Sequence, residues 1–237
     1  MKIYTDLHIH SCLSPCAEMD MTPWNICAMA KLKGLQAIAV TDHNSARNLP
    51  AVQAAASEHG LLLLPGMEIA TREEVHLLVY FPSVSQALSA GDFLYTHLPD
   101  ILNNPRLFGE QAVMGEGDML VGVEKRLLLS ATDLSIRQAA LEMDRFGGHV
   151  VPAHINRGAN GMLVGLGFLP ADIDFPTLEV SPHLPVPAEI LRGKTLLNNS
   201  DAHRLEDICE AIHSLEVCEL SPGGILKALG NGKVRIL

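Results

Sequence analysis

Thr5-Asp6-Leu7-His8-Ile9-His10-Ser11 closes a short apolar segment near the start of the chain. His8 and His10 are two residues apart, so on an extended strand both imidazoles point to the same face. Two neutral imidazoles on one side of a strand end can share a divalent ion. Alone, the pair reads as two surface histidines on an edge strand. It does not stand alone, because further His and carboxylate residues recur in similar settings along the chain.

Working outward, residues 4–8 read as the first strand. Thr22-Pro23 opens a helix, with Thr22 as N-cap and Pro23 at the first helical position. Ile26, Met29, Ala30 and Leu32 give that helix an apolar stripe, and Gly34 ends it. Residues 35–41 form a buried strand that delivers Asp42-His43. An alanine-rich helix over 49–59 ends at Gly60. A strand region over 61–69, broken at Pro65-Gly66, delivers Glu68, and a strand over 74–80 carries His76.

Residues 83–147 interrupt the rhythm. They contain a helix over 84–98, a β-hairpin over 111–123 and an amphipathic helix over 135–146. With no core of its own evident, this stretch reads as an insertion in a single domain of 1–237. The rhythm resumes with a strand over 149–153 ending in His154, then a Gly-rich loop over 158–167. Strands at 177–181 and 195–199 follow, the second delivering Ser200-Asp201-Ala202-His203. A helix near 205–211, a strand near 214–219, a helix over 224–229 and a strand at 234–236 close the chain. Strands alternating with helices imply an α/β fold with a parallel sheet and right-handed crossovers; about seven such units argue for a barrel.

Composition narrows the class. Hydrophobic residues make up 48% and aromatics 4% of 237 residues, so Leu, Ile, Val, Ala and Met must build the core. No apolar run reaches the roughly 18 residues of a membrane span, and no basic-then-apolar leader is visible. Five cysteines without framework spacing read as reduced thiols in a cytoplasmic protein. A formal charge of −10 makes long nucleic acid an unlikely partner.

In barrels of this kind chemistry gathers at the C-terminal ends of the strands. His8, His10, Asp42-His43, Glu68, His76, His154, Asp201 and His203 fall at such ends or close to them. Each alone reads as a hydrogen-bonded structural residue. Six imidazoles with two or three carboxylates converging on one mouth exceed the needs of a single ion and suit two or three.

Asp-Leu-His-Ile-His-Ser at 6–11, Thr-Asp-His-Asn at 41–44, Gly-Met-Glu-Ile at 66–69, Pro-Ala-His at 152–154 and Ser-Asp-Ala-His at 200–203 resemble the PHP (polymerase and histidinol phosphatase) superfamily. The resemblance covers essentially the whole chain in the family's order. It implies a distorted (β/α)7 TIM-like barrel with a trinuclear centre of Mn, Fe or Zn that hydrolyses phosphate esters through metal-bound hydroxide. Carried over, His8 and His10 hold one ion with Glu68 and Asp201. His43 and His203 hold a second, with a carboxylate from the loop after the first strand. Glu68 bridges to a third ion held by His76 and His154.

One position departs from that pattern. Similar small phosphoesterases carry an Asp about four residues after the second His of the first motif, where this chain has Pro15-Cys16. Glu18 is the first choice for the missing carboxylate, with Asp20 kept beside it. Cys12 and Cys16 flank the loop and read as packing residues. Asp42, Asn44 and Ser200 are the candidates for supporting the ligands, and Asp201 for orienting the attacking water. Arg157 is the first choice to grip a phosphate through two bonds, ahead of Arg72, Arg204 and His183.

The implied activity is metal-dependent hydrolysis of a small phosphorylated metabolite or nucleotide; a homo-oligomer stays open. A phosphodiesterase or short-oligonucleotide exonuclease stays open. Tyr80, Phe81 and Phe168 are the few aromatics available to stack a base. A metal-dependent amidohydrolase is disfavoured, because its bridging Lys has no counterpart between Lys33 and Lys125. A non-catalytic metal-stabilised scaffold is the remaining alternative, with the hairpin as its partner contact.

Overall fold

A computed structural model describes residues 1–230 and the backbone of residues 235–236. In chain order the first half holds β1 (Lys2–Ile9), α1 (Pro23–Leu32), β2 (Ala37–Val40), α2 (Leu49–His59), β3 (Leu62–Leu63), β4 (Gly66–Ala70), β5 (His76–Tyr80) and α3 (Val84–Tyr95). Then come α4 (Pro105–Phe108), β6 (Ala112–Met114), β7 (Leu120–Val123), α5 (Ile136–Arg145), β8 (His149–Pro152) and α6 (Met162–Gly165). Last are β9 (Ile173–Asp174), β10 (Thr177–Glu179), α7 (Ala188–Leu191), β11 (Thr195–Leu197), β12 (Ser214–Glu216), α8 (Pro222–Ala228) and β13 (Arg235–Ile236). The fold is α/β, as the alternation implies.

Local signals set the helix ends. Thr22 accepts from Asn25 N at the start of α1, with Pro23 in the first turn. Ser135 and Gln138 form a reciprocal capping box on α5. Gly60 takes a left-handed conformation (φ 63) after α2.

β1 pairs parallel with β2 and antiparallel with β12, and β2 runs parallel to β3. β10 and β11 are parallel. β5 departs from the expected parallel sheet: it is antiparallel to both β4 and β8. Its connection from β4 is a tight turn, closed by Thr71 N donating to Val75 O at 3.0 Å, with Glu74 at φ 60. No crossover helix fits in five residues. As a result His76 reaches the site from the N-terminal end of its strand, not from a C-terminal end. The expected helix near 205–211 is a single 3-10 turn at Leu205–Asp207. Beyond it Cys209 N donates to Asp6 Oδ2 at 3.0 Å, which draws the chain back to β1. Val234 of the expected last strand lies outside the described residues.

Strands buried on both faces serve two core layers. Ala37, Ala39, Leu78, Tyr80 and Val151 belong to one cluster. Ile38, Val40, Leu77, Val79 and Val150, their alternating neighbours, pack in the larger one. In the insertion, Ala112 and Met114 pack on Cys12 and Ala51, while Leu98 and Leu128 pack on Leu13. The insertion thus covers the loop that follows β1. Among the described residues no helix is long and apolar enough to cross a membrane.

At the start of β8, burial pushes the His149 imidazole from the usual 6.5 down to about 4. The unfolded chain takes up this proton below pH 6.5, and the folded chain resists it. Stability from His149 is therefore complete above pH 6.5 and is lost as pH falls towards 4. Urea midpoints measured from pH 7 to 4 are expected to decline less steeply in His149→Leu than in the parent. Parallel declines would contradict the assignment.

Candidate metal centre

β1 carries His8 and His10 on one face, as the two-residue spacing predicts, and both are fully buried. Their Nε2 atoms lie 3.2 Å apart. Both face Asp201 Oδ1, at 3.2 Å and 3.3 Å. Asp201 comes from the turn after β11, where Ala202 forms a parallel bridge with Ile9. The loop after β2 and the middle of β4 are joined by the bridge between His43 and Glu68, with Asn44 N donating to Glu68 O at 2.7 Å. Asn44 Oδ1 accepts from Ala70 N, so Asn44 holds this junction as expected.

Glu68 is the hub. Its carboxylate oxygens lie 3.3 Å from His8 Nε2, 3.4 Å from His10 Nε2, 3.1 Å from His43 Nδ1, 3.0 Å from His76 Nδ1 and 3.2 Å from His154 Nε2. Three sets of donors each have ligand atoms within 4.8 Å of one another: His8, His10 and Asp201; His10, His43 and His203; His43, Glu68 and His76. Ser14 occupies His10 Nδ1 at 2.9 Å, so the sets share the single free nitrogen of His10. They form one continuous donor cluster. His154 reaches it with Nε2 at Glu68.

The charges fit a cation. Burial alone would raise the Glu68 carboxyl, but His76, His8 and hydrogen bonds from His154 and His43 hold it well below the usual range. Asp201 is likewise lowered, burial being outweighed by His8 and a hydrogen bond from His10. Burial, helped by neighbouring imidazoles, keeps His10 and His43 low and hence neutral, with lone pairs free to coordinate. His8 moves the other way: Glu179, Asp201 and Glu68 overcome its burial and raise it well above 6.5. Buried imidazoles facing one another across carboxylates need a proton or a metal ion between them, and oxygen and nitrogen donors of this kind suit a divalent metal ion.

Two expected ligands lie elsewhere. The Glu18 side chain is 50% exposed and pairs with Arg204 Nε at 3.0 Å, while its amide bonds His203 O. Asp20 is exposed, and its carbonyl accepts from Asn25 Nδ2. Between Ser11 and Asp20 the loop turns twice, with Ser14 N on Ser11 O and Ala17 N on Ser14 O. Those turns aim Ser14, not a carboxylate, at the cluster. Ser14 Oγ also donates to Asp42 Oδ1 (2.8 Å), and Asp42 accepts from Ser11 Oγ (2.6 Å). Cys12 is buried, its thiol pushed up to about 12 by burial, consistent with packing.

Glu179 escaped the sequence reading. It is buried at the end of β10 and accepts from His8 Nδ1 at 3.0 Å, His154 N at 2.7 Å and Asn199 Nδ2 at 2.7 Å. Because a carboxylate only accepts, Glu179 keeps a proton on His8 Nδ1, and Nε2 faces Glu68 and Asp201, where a metal ion would take the place of the second proton. Its position at the end of an apolar strand, like that of the other site residues, was the available signal. Asp6 was missed as well: it takes Ser200 Oγ at 2.6 Å and Cys209 N, and anchors the turn that presents Asp201. His154 (φ 28), Asp201 (φ 56) and Asn44 (φ 48) adopt left-handed backbone, a costly conformation that clusters at functional sites.

The cluster opens into a cleft of about 350 Å³ lined by His43, Glu68, His76, His154, Arg157 and Asp201. Arg157 is 42% exposed and its guanidinium binds Asp201 Oδ2. Arg72 is exposed and does not line this cleft. His183 lines an adjoining recess of about 240 Å³, which also contains Arg157. Tyr80 and Phe81 are fully buried and cannot stack a base, whereas Phe168 is exposed.

Fold and donor set define an α/β protein with a buried imidazole–carboxylate cluster suited to divalent metal. Residues 6–145, more than half of the chain, match the PHP domain. The chain belongs to the PHP domain family, that of PHP-like metal-dependent phosphoesterases. Comparison with curated proteins finds no match. Among solved structures it is similar to the lesion-specific endonuclease Q of Pyrococcus furiosus (21% identity, TM-score 0.69), with all of this chain and 58% of that chain covered. An endonuclease Q complex with a 27-mer duplex bearing an abasic lesion at the active site gives 20% identity and a TM-score of 0.71, with the same coverage. A two-domain Bacteroides vulgatus protein containing a predicted PHP-like metal-dependent phosphoesterase gives 17% identity and 0.54, covering 99% of this chain and 64% of that one. The chain thus spans well under two thirds of the endonuclease Q structures.

Proposed function

We propose that this protein hydrolyses small phosphate esters at a centre of three divalent ions. The observation that carries the reading is the Glu68 carboxylate within 3.4 Å of five imidazoles, next to Arg157 in an open cleft. His8, His10 and Asp201 would hold one ion, His43 and His203 a second, and His76 with His154 a third, with Glu68 between them. Such ions supply Lewis acidity and an activated water near neutral pH.

The chain's own groups do the rest. The exposed edge of Arg157 grips a phosphoryl oxygen, while its other edge stays on Asp201. Asp201 Oδ1, fixed between His8 and His10, orients the attacking water. Glu179 locks the His8 tautomer, and Ser14 locks that of His10. The hydrogen-bond pattern also supports (β/α)7-type closure, since Ile155 N bonds Glu179 O between β8 and β10 and His10 N bonds Ala202 O beyond β11.

A cleft of 350 Å³ with a 240 Å³ recess suits a small ligand. The overall charge of −10 opposes long polyanions. The endonuclease Q complex favours a second reading, incision of damaged DNA. Both are tested with Mn²⁺-loaded protein on aryl phosphate, histidinol phosphate, nucleoside monophosphates, short oligonucleotides and an abasic-site duplex. Phosphate release from the small monoesters, outpacing duplex cleavage, is expected. Cleavage of the duplex alone would establish the second reading. Silence throughout, with ions bound, would point to a metal-stabilised scaffold.

A further inference from the structure

At the far end of β8 from the metal cluster lies a cavity of about 810 Å³. It is a trench between α3 and α8, floored by the turn from α5 into β8. Ser85, Arg145, Phe146, His149 and Lys227 are among its lining residues. His149 is 3% exposed, and neither ring nitrogen has a hydrogen-bond partner among the described residues. A buried polar atom without a partner loses its hydration uncompensated, so natural cores seldom keep two on one ring. Gln86 does not serve His149. Its amide donates to Phe146 O at 3.1 Å and accepts from Ser83 Oγ at 2.9 Å.

The lining carries two cations, Arg145 and Lys227, and one carboxylate, Asp144. Arg145 also pairs with Glu142 Oε1 at 2.6 Å, and Lys227 is an exposed cation of the trench. Phe146 and Leu226 add apolar wall.

We propose that this trench is a second binding site, for a small organic anion that also carries a hydroxyl or similar neutral hydrogen-bonding group. The anionic end sits between Arg145 and Lys227. The neutral polar end reaches His149, whose uncharged ring offers one N–H and one lone pair. His149 opens β8 and His154 lies two residues past its end, up to roughly 16 Å away along the chain. Binding here is therefore separate from the metal centre and does not depend on the activity proposed for it.

The test follows the ring nitrogens of His149 by ¹⁵N NMR in Zn²⁺-loaded protein. The probes are malate and 2-hydroxyethylphosphonate, one carboxylate and one phosphonate that cannot be hydrolysed. A saturable shift with at least one probe is expected, and the responding probe identifies the anion. Lys227→Met, an exposed change that the fold should tolerate, is expected to weaken that binding on the order of tenfold, the loss of one charged hydrogen bond. His149→Leu should abolish probe binding measured by calorimetry, while the metal content stays at the parent level. No shift with either probe, or binding unchanged in Lys227→Met, would overturn the site.

Discussion

Glu68→Gln is expected to lower phosphate release by more than about 100-fold and to reduce the ions retained per chain. Changes to residues that only support a metal ligand cost about 10–100-fold in affinity or activity. Glu68 is in closer contact than that, since its two oxygens lie 3.0–3.4 Å from imidazoles on β1, β5 and the ends of β2 and β8. Gln keeps the volume, so packing around β4 is preserved. It removes the charge that draws cations into the cluster and turns one acceptor into a donor facing imidazole nitrogens. Metal content by mass spectrometry, turnover and circular dichroism together test this. A folded variant that keeps its ions and loses less than tenfold in rate would remove Glu68 from the role of hub.

Glu179→Ala is expected to cost about 10–100-fold in metal affinity or in kcat/KM. It is also expected to destabilise the fold, because His154 N loses its 2.7 Å acceptor in a buried place; such a group costs about 1–3 kcal/mol. The metal effect comes through His8. Without Glu179, nothing fixes the proton on Nδ1, and the ring is free to present an N–H to the cluster. Glu179→Gln keeps one acceptor oxygen and should lie between the parent and Ala. A purely structural role would lower the melting temperature and leave metal affinity unchanged, so titration of the metal-free protein separates the two.

Much of the site was legible because strand spacing is local. His8 and His10 share a face whatever lies around them, since side chains alternate along any strand. Thr22-Pro23 and Gly60 mark helix ends through their own backbone preferences. The direction of β5 was not legible, because a period of two reads the same in both directions. Only the short turn at 71–75, too short for a crossover, decided it. Glu179 resembles Glu68 in sequence setting, yet nothing nearby in sequence shows that its partner is His8 on another strand.

The loop after β1 shows the same division. From the residues alone, Glu18 is the first choice for the missing carboxylate, with Asp20 beside it. In three dimensions Glu18 is held by Arg204 and by the carbonyl of His203, while Ser14 turns inward to His10 and Asp42. The sequence by itself determined the α/β alternation, the helix ends and the pairing of imidazoles on β1, because each depends on neighbours within a few residues. The tertiary structure alone decided the pairing of β5 with β8, the supporting roles of Glu179 and Asp6, and the outward course of Glu18 and Asp20. Each of these depends on hydrogen bonds between groups brought together from distant strands.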